Sequence, residues 1–264
     1  MDKARAGIQS VEVGFALLDV LARAPGPLML RDLAAAAGMS AAKAHRYLVS
    51  FQRLALVTQD VASTRYDLGP AALKLGLASL SRMDAVKLAR ERIAGLMESI
   101  GHTLALAVWG NHGPTIVHWE ESAQAVTVNL RLGDVMPLLS SATGRCFAAY
   151  APRDAIAAMA EAELTRARAA RRNDLPLDMT QFEAVLADVR QHGASRVVDT
   201  LLPGIVGFCA PVFDSNGHMV LGMVALGSAA TFDAAWGGGV NAPLADAARQ
   251  LSADLGFQGA RQGS

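Results

Sequence analysis

Apolar residues in the first part of the chain recur every three or four positions, which is the spacing of an amphipathic helix. Residues 8–23 show this spacing first, and the sequence APGPL interrupts it with two prolines and a glycine. A short second helix is predicted over residues 30–37, closed by Gly38. Ser40 can cap a third helix that runs to Arg53. Two helices joined by a tight turn form a unit that many DNA-binding domains share.

Two short runs of β-forming residues follow this unit. Residues 56–59 and 65–68 flank a polar tip and predict a hairpin, which would be the wing of a winged helix-turn-helix. Pro70 begins another predicted helix, to about Leu80, that would link this region to the rest of the chain.

The remainder of the chain mixes helical spacing with alternating apolar positions, the pattern of strands. Helices are predicted over residues 83–100, in the Ser-capped segment SSATGRCFAAY, and over residues 152–172, 180–192 and 241–255. Strands are predicted over residues 103–109, 115–120, 126–130, 204–213 and 219–226. The turn DSNGH joins the last two strands in a hairpin. Irregular alternation of strands and helices predicts an α+β fold with helices packed on a sheet.

Charge is distributed unevenly along the chain, although its totals balance. The 264 residues include 24 Lys and Arg against 24 Asp and Glu. The first 80 residues hold nine basic and six acidic residues, and no acid lies between Asp32 and Asp60. Local basic charge matters more for contact with nucleic acid than the total charge does. The basic residues of the third predicted helix therefore face either solvent or phosphates.

Other features of the sequence disfavour several classes of protein. No apolar run reaches the roughly 18–20 residues of a membrane span, and no secretory signal opens the chain, so a soluble, cytoplasmic protein is expected. Cys146 and Cys209 are 63 residues apart and fit no metal or redox motif. The spacings of His102, His112 and His118 fit no common metal site. We therefore predict no cofactor, no metal and no membrane partner.

Five stretches of sequence occur in an order that is typical of one family. They are GIQSVEVGFALLDVLA, LRDLAAAAGMSAAKAHRYLVSFQRLALV, RYDLGPAALKLG, GDVMPLLSSATGRCFAAY and GIVGFCAPVFDSNGHMVLGMVALG. Together they resemble the IclR-type transcriptional regulators over nearly the whole chain. The resemblance implies a winged helix-turn-helix domain (residues 1–69), a linker helix (70–81) and a GAF-like effector-binding and oligomerisation domain (82–264). It also implies a homodimer or a dimer of dimers on double-stranded operator DNA.

In that arrangement the third predicted helix is the recognition helix, whose N-terminal end reaches base edges in the major groove. The expected DNA contacts are Ser40, Lys43, His45, Arg46, Arg53 and, in the wing, Arg65. Two alternatives remain open within this set. Arg46 would otherwise pair with Asp32 inside the domain, and Arg65 would otherwise be an isolated exposed side chain.

The resemblance also implies an effector site in the C-terminal domain. Its expected residues are Trp109, Met136, Ala142, Thr143, Gly144, Asp199, Ile205, Gly207, Ala225 and Gly227. Backbone N–H groups at the start of the helix in SSATGRC can receive one carboxylate, and the small residues Gly207, Ala225 and Gly227 on adjacent strands indicate room for a ligand. Each of these residues could instead belong to the core or to a surface loop. We expect a small organic acid with an apolar or aromatic body, because a short polar acid would leave oxygens unpaired.

Two other functions are alternatives to a DNA-binding regulator. An enzyme would use Cys146 or Cys209 as its nucleophile, but the sequence places no histidine near either, and apolar surroundings disfavour a thiolate. A GAF-type sensor would act through protein partners and use its N-terminal domain only for dimerisation. We expect no catalytic residues.

Overall fold

The computed structural model describes residues 7–80, 84–122 and 130–259. These residues form two compact units, one on each side of residue 83, which are described separately. Most of the predicted strand over residues 126–130, and the end of the predicted linker helix at residue 81, lie outside the described residues. Within the described ranges, no helix is both long enough and apolar enough to cross a membrane.

The N-terminal unit is a helix-turn-helix followed by a short hairpin and one more helix. Its elements are α1 (Gln9–Arg23), α2 (Leu30–Ala36), α3 (Ala41–Arg53), β1 (Val57–Gln59), β2 (Tyr66–Leu68) and α4 (Pro70–Leu80). β1 and β2 pair antiparallel, and Leu28 forms a single bridge with Tyr66. The core consists of Leu17, Leu21, Leu33, Ala34, Ala44, Leu48, Val57 and Tyr66. The predicted winged helix-turn-helix is confirmed.

Local sequence explains the turn between α2 and α3. Gly38 has a φ of +66°, a conformation that glycine adopts without strain. Ser40 then caps α3, because its hydroxyl oxygen accepts a hydrogen bond from the amide of Lys43 at 3.4 Å. On the other side of the core, Gly14 lets α1 approach α3 closely, since a Cβ there would lie only 3.0 Å from the ring of Tyr47.

One apolar face of α1 points away from this core. The core side of the helix carries Leu17 and Leu21, both buried. Ile8, Val11 and Phe15, by contrast, are 69%, 64% and 63% exposed. The apolar surface of α1 is wider than the side that the core covers, so part of it remains at the surface. We call the residues Ile8, Val11 and Phe15 the α1 stripe.

Within the described ranges, the C-terminal unit is a five-stranded antiparallel sheet with helices on both faces. Its elements are α5 (Ala85–Ile100), β3 (Thr103–Gly110), β4 (Gly113–Glu120), α6 (Ala142–Tyr150), α7 (Arg153–Ala169), α8 (Met179–His192), β5 (Ser195–Val198), β6 (Ile205–Phe213), β7 (Met219–Ser228) and α9 (Asn241–Asp254). The strand order is β4-β3-β7-β6-β5. The α+β class is confirmed, whereas the four-residue edge strand β5 is not predicted by the sequence pattern.

The register of the sheet decides which residues share a face. Gly207 lies opposite Leu226, and Cys209 lies opposite Val224. These residues face α6, which packs on them. Residues that alternate with them, such as Phe208, point to the other face, which α5 and α9 cover. We call the two sides of the sheet the α6 face and the α5/α9 face.

The start of α6 depends on a glycine. A Cβ at Gly144 would overlap the carbonyl oxygen of Pro137 and lie 2.6 Å from the Cα of Leu138. We therefore expect Gly144→Ala to lower the free energy of unfolding by about 1–3 kcal/mol, the usual cost of overpacking a core. Gly95, an exposed residue inside α5, has open space where its Cβ would be. Gly95→Ala should instead raise the free energy of unfolding by about 0.5–1 kcal/mol.

Urea unfolding followed by tryptophan fluorescence measures both changes, because all three tryptophans of the chain lie in the C-terminal unit. Equal effects of the two substitutions would mean that α6 tolerates displacement from Pro137.

Candidate DNA-binding surface and effector site

α3 presents basic side chains to solvent. Lys43, His45 and Arg46 are exposed near its N-terminal end, and Arg53 is exposed at its other end. None of these four side chains forms an ion pair with another described residue. Unpaired cations on an exposed helix face are suited to contact with phosphates.

Lys43 and Arg46 also line a depression between α1 and α3. Its volume is about 360 Å³, and its other walls are Ser10, Tyr47 and Ser50. The hydroxyl of Ser50 donates to the carbonyl of Arg46 at 3.3 Å. Ser10 belongs to the first turn of α1, and the sequence pattern does not reveal it because it lies far from α3 along the chain.

The alternative ion pair between Arg46 and Asp32 does not form. The Asp32 carboxylate instead accepts a hydrogen bond from its neighbour Arg31, with Nε and Oδ1 3.4 Å apart. Both residues belong to the first turn of α2, where their adjacency brings the two charges together. The guanidinium of Arg46 therefore keeps its N–H donors directed to solvent.

Part of the Arg65 guanidinium, in the wing, is used in a hydrogen bond within the domain. Its Nη1 donates to the carbonyl of Pro27 at 3.1 Å. The loop before it is held by Asp60, whose carboxylate accepts from the amide and the hydroxyl of Ser63, each at 2.7 Å. These hydrogen bonds lower the pKa of Asp60 below its usual value. Contact of the remaining guanidinium N–H groups of Arg65 with DNA stays a prediction.

α6 begins where a carboxylate site is expected. Ser141 is the N-cap, and its hydroxyl oxygen accepts a hydrogen bond from the amide of Gly144 at 2.8 Å. The Gly144 amide is thereby occupied within the protein, which leaves the amides of Ala142 and Thr143 for a carboxylate. Both of these residues are buried, with 4% and 2% of their surface exposed.

Side chains from distant segments fix this helix start. The carboxylate of Glu163 accepts from the amides of Leu138 and Leu139 at 2.9 and 3.0 Å. Arg145 donates from Nε to the carbonyl of Leu139 at 2.7 Å, and the Ser195 hydroxyl donates to the first carbonyl of α6 at 2.5 Å. Burial lowers the pKa of Arg145 to about 10, so the side chain remains charged at neutral pH. The sequence pattern predicts none of these anchors.

The sheet beneath this helix start is apolar. Gly207 lies under Ala142, and a Cβ on Gly207 would be 3.8 Å from that side chain. Met136 belongs to the same buried cluster, and Ile205 shares the α6 face with Gly207. Half-buried residues that the sequence pattern does not single out complete the cluster: Trp119, Leu130 and Leu201. We call the group Met136, Ala142, Thr143, Ile205 and Gly207, with these three, the α6 N-terminal site.

Two predicted effector residues lie on the opposite side of the sheet. Ala225 and Gly227 pair with residues of β6 that alternate with Gly207, so they point to the α5/α9 face. A Cβ at Gly227 would lie 2.8 Å from the ring of His102, whose burial lowers its pKa. The prediction that these three small residues make room in one cavity is therefore wrong. The antiparallel register places them on different faces.

Trp109 is also separate from the α6 N-terminal site, whereas Asp199 adjoins it, because the Asp199 amide donates to the carbonyl of Ile205 at 3.0 Å. Trp109 lies near the end of β3 and packs on Phe147 in the C-terminal half of α6, with ring centroids 6.1 Å apart. Asp199 follows β5 with a φ of +59°, and its carboxylate accepts from the amide of Gly204 at 2.7 Å. The Asp199 carboxylate thus closes its own loop.

The two cysteines lie together in the core. Cys146 on α6 and Cys209 on β6 are fully buried in the same apolar cluster. Burial, with a further contribution from the neighbouring Cys146, raises the pKa of the Cys209 thiol well above its usual value. A catalytic cysteine needs an accessible thiolate beside a base. The geometry therefore disfavours the cysteine-enzyme alternative.

Comparisons with known proteins agree with this architecture. The IclR helix-turn-helix domain family matches residues 10–61, and the family described as bacterial transcriptional regulator IclR C-terminal matches residues 77–253. The glycerol operon regulatory protein of Streptomyces coelicolor is 32% identical over 253 residues, which cover 94% of this chain and 97% of that protein. The DNA-binding transcriptional repressor YiaJ of Escherichia coli is 25% identical, with 96% and 89% covered.

Solved structures give the same assignment. HmgR of Pseudomonas aeruginosa is 36% identical, with a TM-score of 0.88 over 96% of this chain and 100% of its own. The repressor BlcR of Agobacterium tumefaciens, at 21% identity and a TM-score of 0.76, shares the fold over 95% of this chain and 98% of its own. Both units of the structure, and nearly the whole sequence, are thus similar to one set of DNA-binding proteins. The chain belongs to the IclR family of transcriptional regulators.

Proposed function

We propose that this regulator binds operator DNA through α3 and that a small organic acid modulates the binding. The observation that carries the proposal is the pair Lys43 and Arg46, which are unpaired within the described residues and stand beside the hydroxyl of Ser10. This arrangement offers two charged donors and one neutral donor to a phosphate, while the start of α3 reaches base edges. Further contacts come from Ser40, His45, Arg53 and Arg65. Residues 1–69 bind DNA, 70–81 form a linker, and 82–264 bind the effector and contribute to oligomerisation.

Substitutions in α3 test its contact with DNA. Arg46→Ala and Lys43→Ala should each lower operator affinity by about 1–3 kcal/mol, which is roughly 5- to 150-fold. The matched control is Arg23→Ala, because Arg23 is equally exposed but already pairs with Asp19 at 2.8 Å. Fluorescence anisotropy with an operator fragment, selected from genomic DNA by the wild-type protein, measures the change.

The salt dependence of the same titrations separates two roles for each side chain. Loss of a phosphate contact weakens binding to all sequences and reduces the salt slope by about 1. Loss of a base contact relaxes specificity at one position. If both variants bind like wild type, α3 is not the recognition helix. If the wild type itself selects no fragment, the alternative of a sensor that acts through protein partners is favoured.

The α1 stripe is the proposed surface for self-association. Ile8, Val11 and Phe15 recur at helical spacing and remain more than half exposed, which is unusual for three large apolar residues on one helix. Leu73 and Leu75 on α4, in the same unit, are each 64% exposed. A second copy of the chain can cover such a surface by two-fold symmetry, which yields the homodimer expected for paired operator half-sites.

A charge placed in the stripe tests this assignment. Val11→Glu should shift the protein from dimer to monomer in light scattering, because a buried, unpaired carboxylate opposes association. Val61→Glu is the matched control, since Val61 is an isolated valine that is 95% exposed in the wing. A dimer that persists in Val11→Glu would place the interface elsewhere.

The α6 N-terminal site is the proposed effector site. The amides of Ala142 and Thr143 stand at the positive end of the helix dipole and suit one carboxylate. The rest of the site, from Met136 and Gly207 to Trp119, is apolar. Each further polar group of a ligand would lose about 1–3 kcal/mol if it were left unpaired here. These features favour an acid with a branched or aromatic body.

A thermal-shift panel tests the effector class. Benzoate and 3-phenylpropionate should raise the melting temperature more than glyoxylate and glycolate do, because a ligand selective for the folded state stabilises it. Gly207→Ala places a methyl group against Ala142 without steric overlap and should reduce the shift. Gly95 lies on α5, far from this site, so Gly95→Ala should leave the ligand-induced rise in melting temperature unchanged. A response confined to the short polar acids would refute this description of the site.

A further inference from the structure

A pocket lies at the opposite end of α6 from the α6 N-terminal site. Its volume is about 320 Å³. Its lining residues include Trp109, Phe147, Tyr150, Pro152, Ala155 and Met219. We call this pocket the Trp109 groove. Since a helix rises about 1.5 Å per residue, the two ends of the nine-residue α6 are about 12 Å apart.

The walls of the Trp109 groove are aromatic. Trp109 and Phe147 are tilted by 52° to each other, so their rings form two walls of a slot instead of a closed stack. The thioether of Met219 and the ring of Tyr150 add further polarizable surface. Trp109 keeps 37% of its surface exposed. A large aromatic side chain that is left open beside a concave apolar pocket is typical of a ligand-binding site.

The described lining residues of the groove include no Lys, Arg, Asp or Glu. His218 lines the groove from the turn that leads into β7, and its Nδ1 lies 3.8 Å from the carboxylate of Asp214, whose negative charge would oppose a second carboxylate. Tyr150 also lines the groove, and its phenol has no hydrogen-bond partner in the described part of the chain. Burial raises the pKa of Tyr150 to about 12, so its hydroxyl stays protonated and can donate.

We propose that the Trp109 groove binds a neutral, planar aromatic molecule of one or two rings, to which Tyr150 donates a hydrogen bond. A carboxylate here would be removed from water without a cation to compensate it. The volume is at the lower end of the range for small-molecule sites, about 300–1,000 Å³. This site is independent of the proposed effector site, which differs from it in place and in ligand charge.

A second copy of the chain is a less suitable occupant. A stable protein interface needs about 800 Å² on each partner, with apolar residues beyond the pocket itself. The other large apolar residues of the C-terminal unit that are exposed in the described ranges do not line the groove: Val117, Leu132, Val135 and Val198. The apolar surface is therefore local and concave, which suits a small molecule.

Calorimetric titration of the full chain, without DNA, tests the proposal with 2-naphthol and 2-naphthoate as matched probes. We expect one 2-naphthol per chain in the groove. Because 2-naphthoate can also bind at the proposed effector site, its affinity for the groove is taken from the binding that Ala155→Phe removes, and this should be at least tenfold weaker than that of 2-naphthol. Ala155 is exposed on α7, so Ala155→Phe fills the groove without disturbing the core, and 2-naphthol affinity should fall at least tenfold. Ala157→Phe is the control, because Ala157 is also exposed but lies on a different face of α7.

Tyr150→Phe removes only the hydroxyl and so measures the contribution of its hydrogen bond to binding. It should weaken 2-naphthol binding about three- to tenfold, as expected for one neutral hydrogen bond. Binding of naphthalene, which has no polar group, should not change. Undetectable 2-naphthol binding, equal affinity in all variants, or 2-naphthoate binding that is as tight as 2-naphthol binding and is lost in Ala155→Phe would each overturn the proposal. A lower molecular mass of Ala155→Phe in light scattering would assign the groove to a second copy and would overturn it as well.

Discussion

The close approach of α6 to the sheet is the constraint on which the C-terminal unit depends. A Cβ at Gly222 would lie 2.9 Å from the sulfur of Cys209 and 3.1 Å from the ring of Phe147, so only a missing side chain lets the helix settle at this distance. Gly144 likewise lets the loop at Pro137 and Leu138 lie against the first turn of the helix. The helix is consequently buried along most of its length. Both sites proposed for this unit lie at the ends of this helix.

The two ends of α6 differ in the chemistry that they can offer. At the start, backbone amides and the helix dipole favour negative charge, and Glu163 and Arg145 hold the preceding loop rigidly. Such a site is ordered before a ligand arrives, so less conformational entropy is lost on binding. At the end, the groove is lined mainly by rings and apolar side chains, with no Lys or Arg among its described lining residues. One short helix thus separates the site proposed for an acidic ligand from the site proposed for a neutral one.

In the N-terminal unit, α3 also has two parts with different roles, a core side and an exposed basic side. Ala44 and Leu48 anchor α3 in the core, while Lys43 and Arg46 stand on its exposed side. Specific packing fixes the helix, and the unpaired cations remain free to bind. An effector can change operator affinity only if it binds the DNA-competent and DNA-incompetent states unequally, and DNA must then change effector affinity by the same factor.

The sequence by itself determined most of the elements, the helix-turn-helix and the basic side of α3, because helical period, strand alternation and caps such as Ser40 depend on residues a few positions apart. Only the tertiary structure decided which strands are neighbours and in what register. It placed Ala225 and Gly227 on the far side of the sheet, brought Glu163 to the start of α6, and set Ser10 beside Lys43. These relations follow from packing between segments that are distant along the chain, which no local pattern of residues contains.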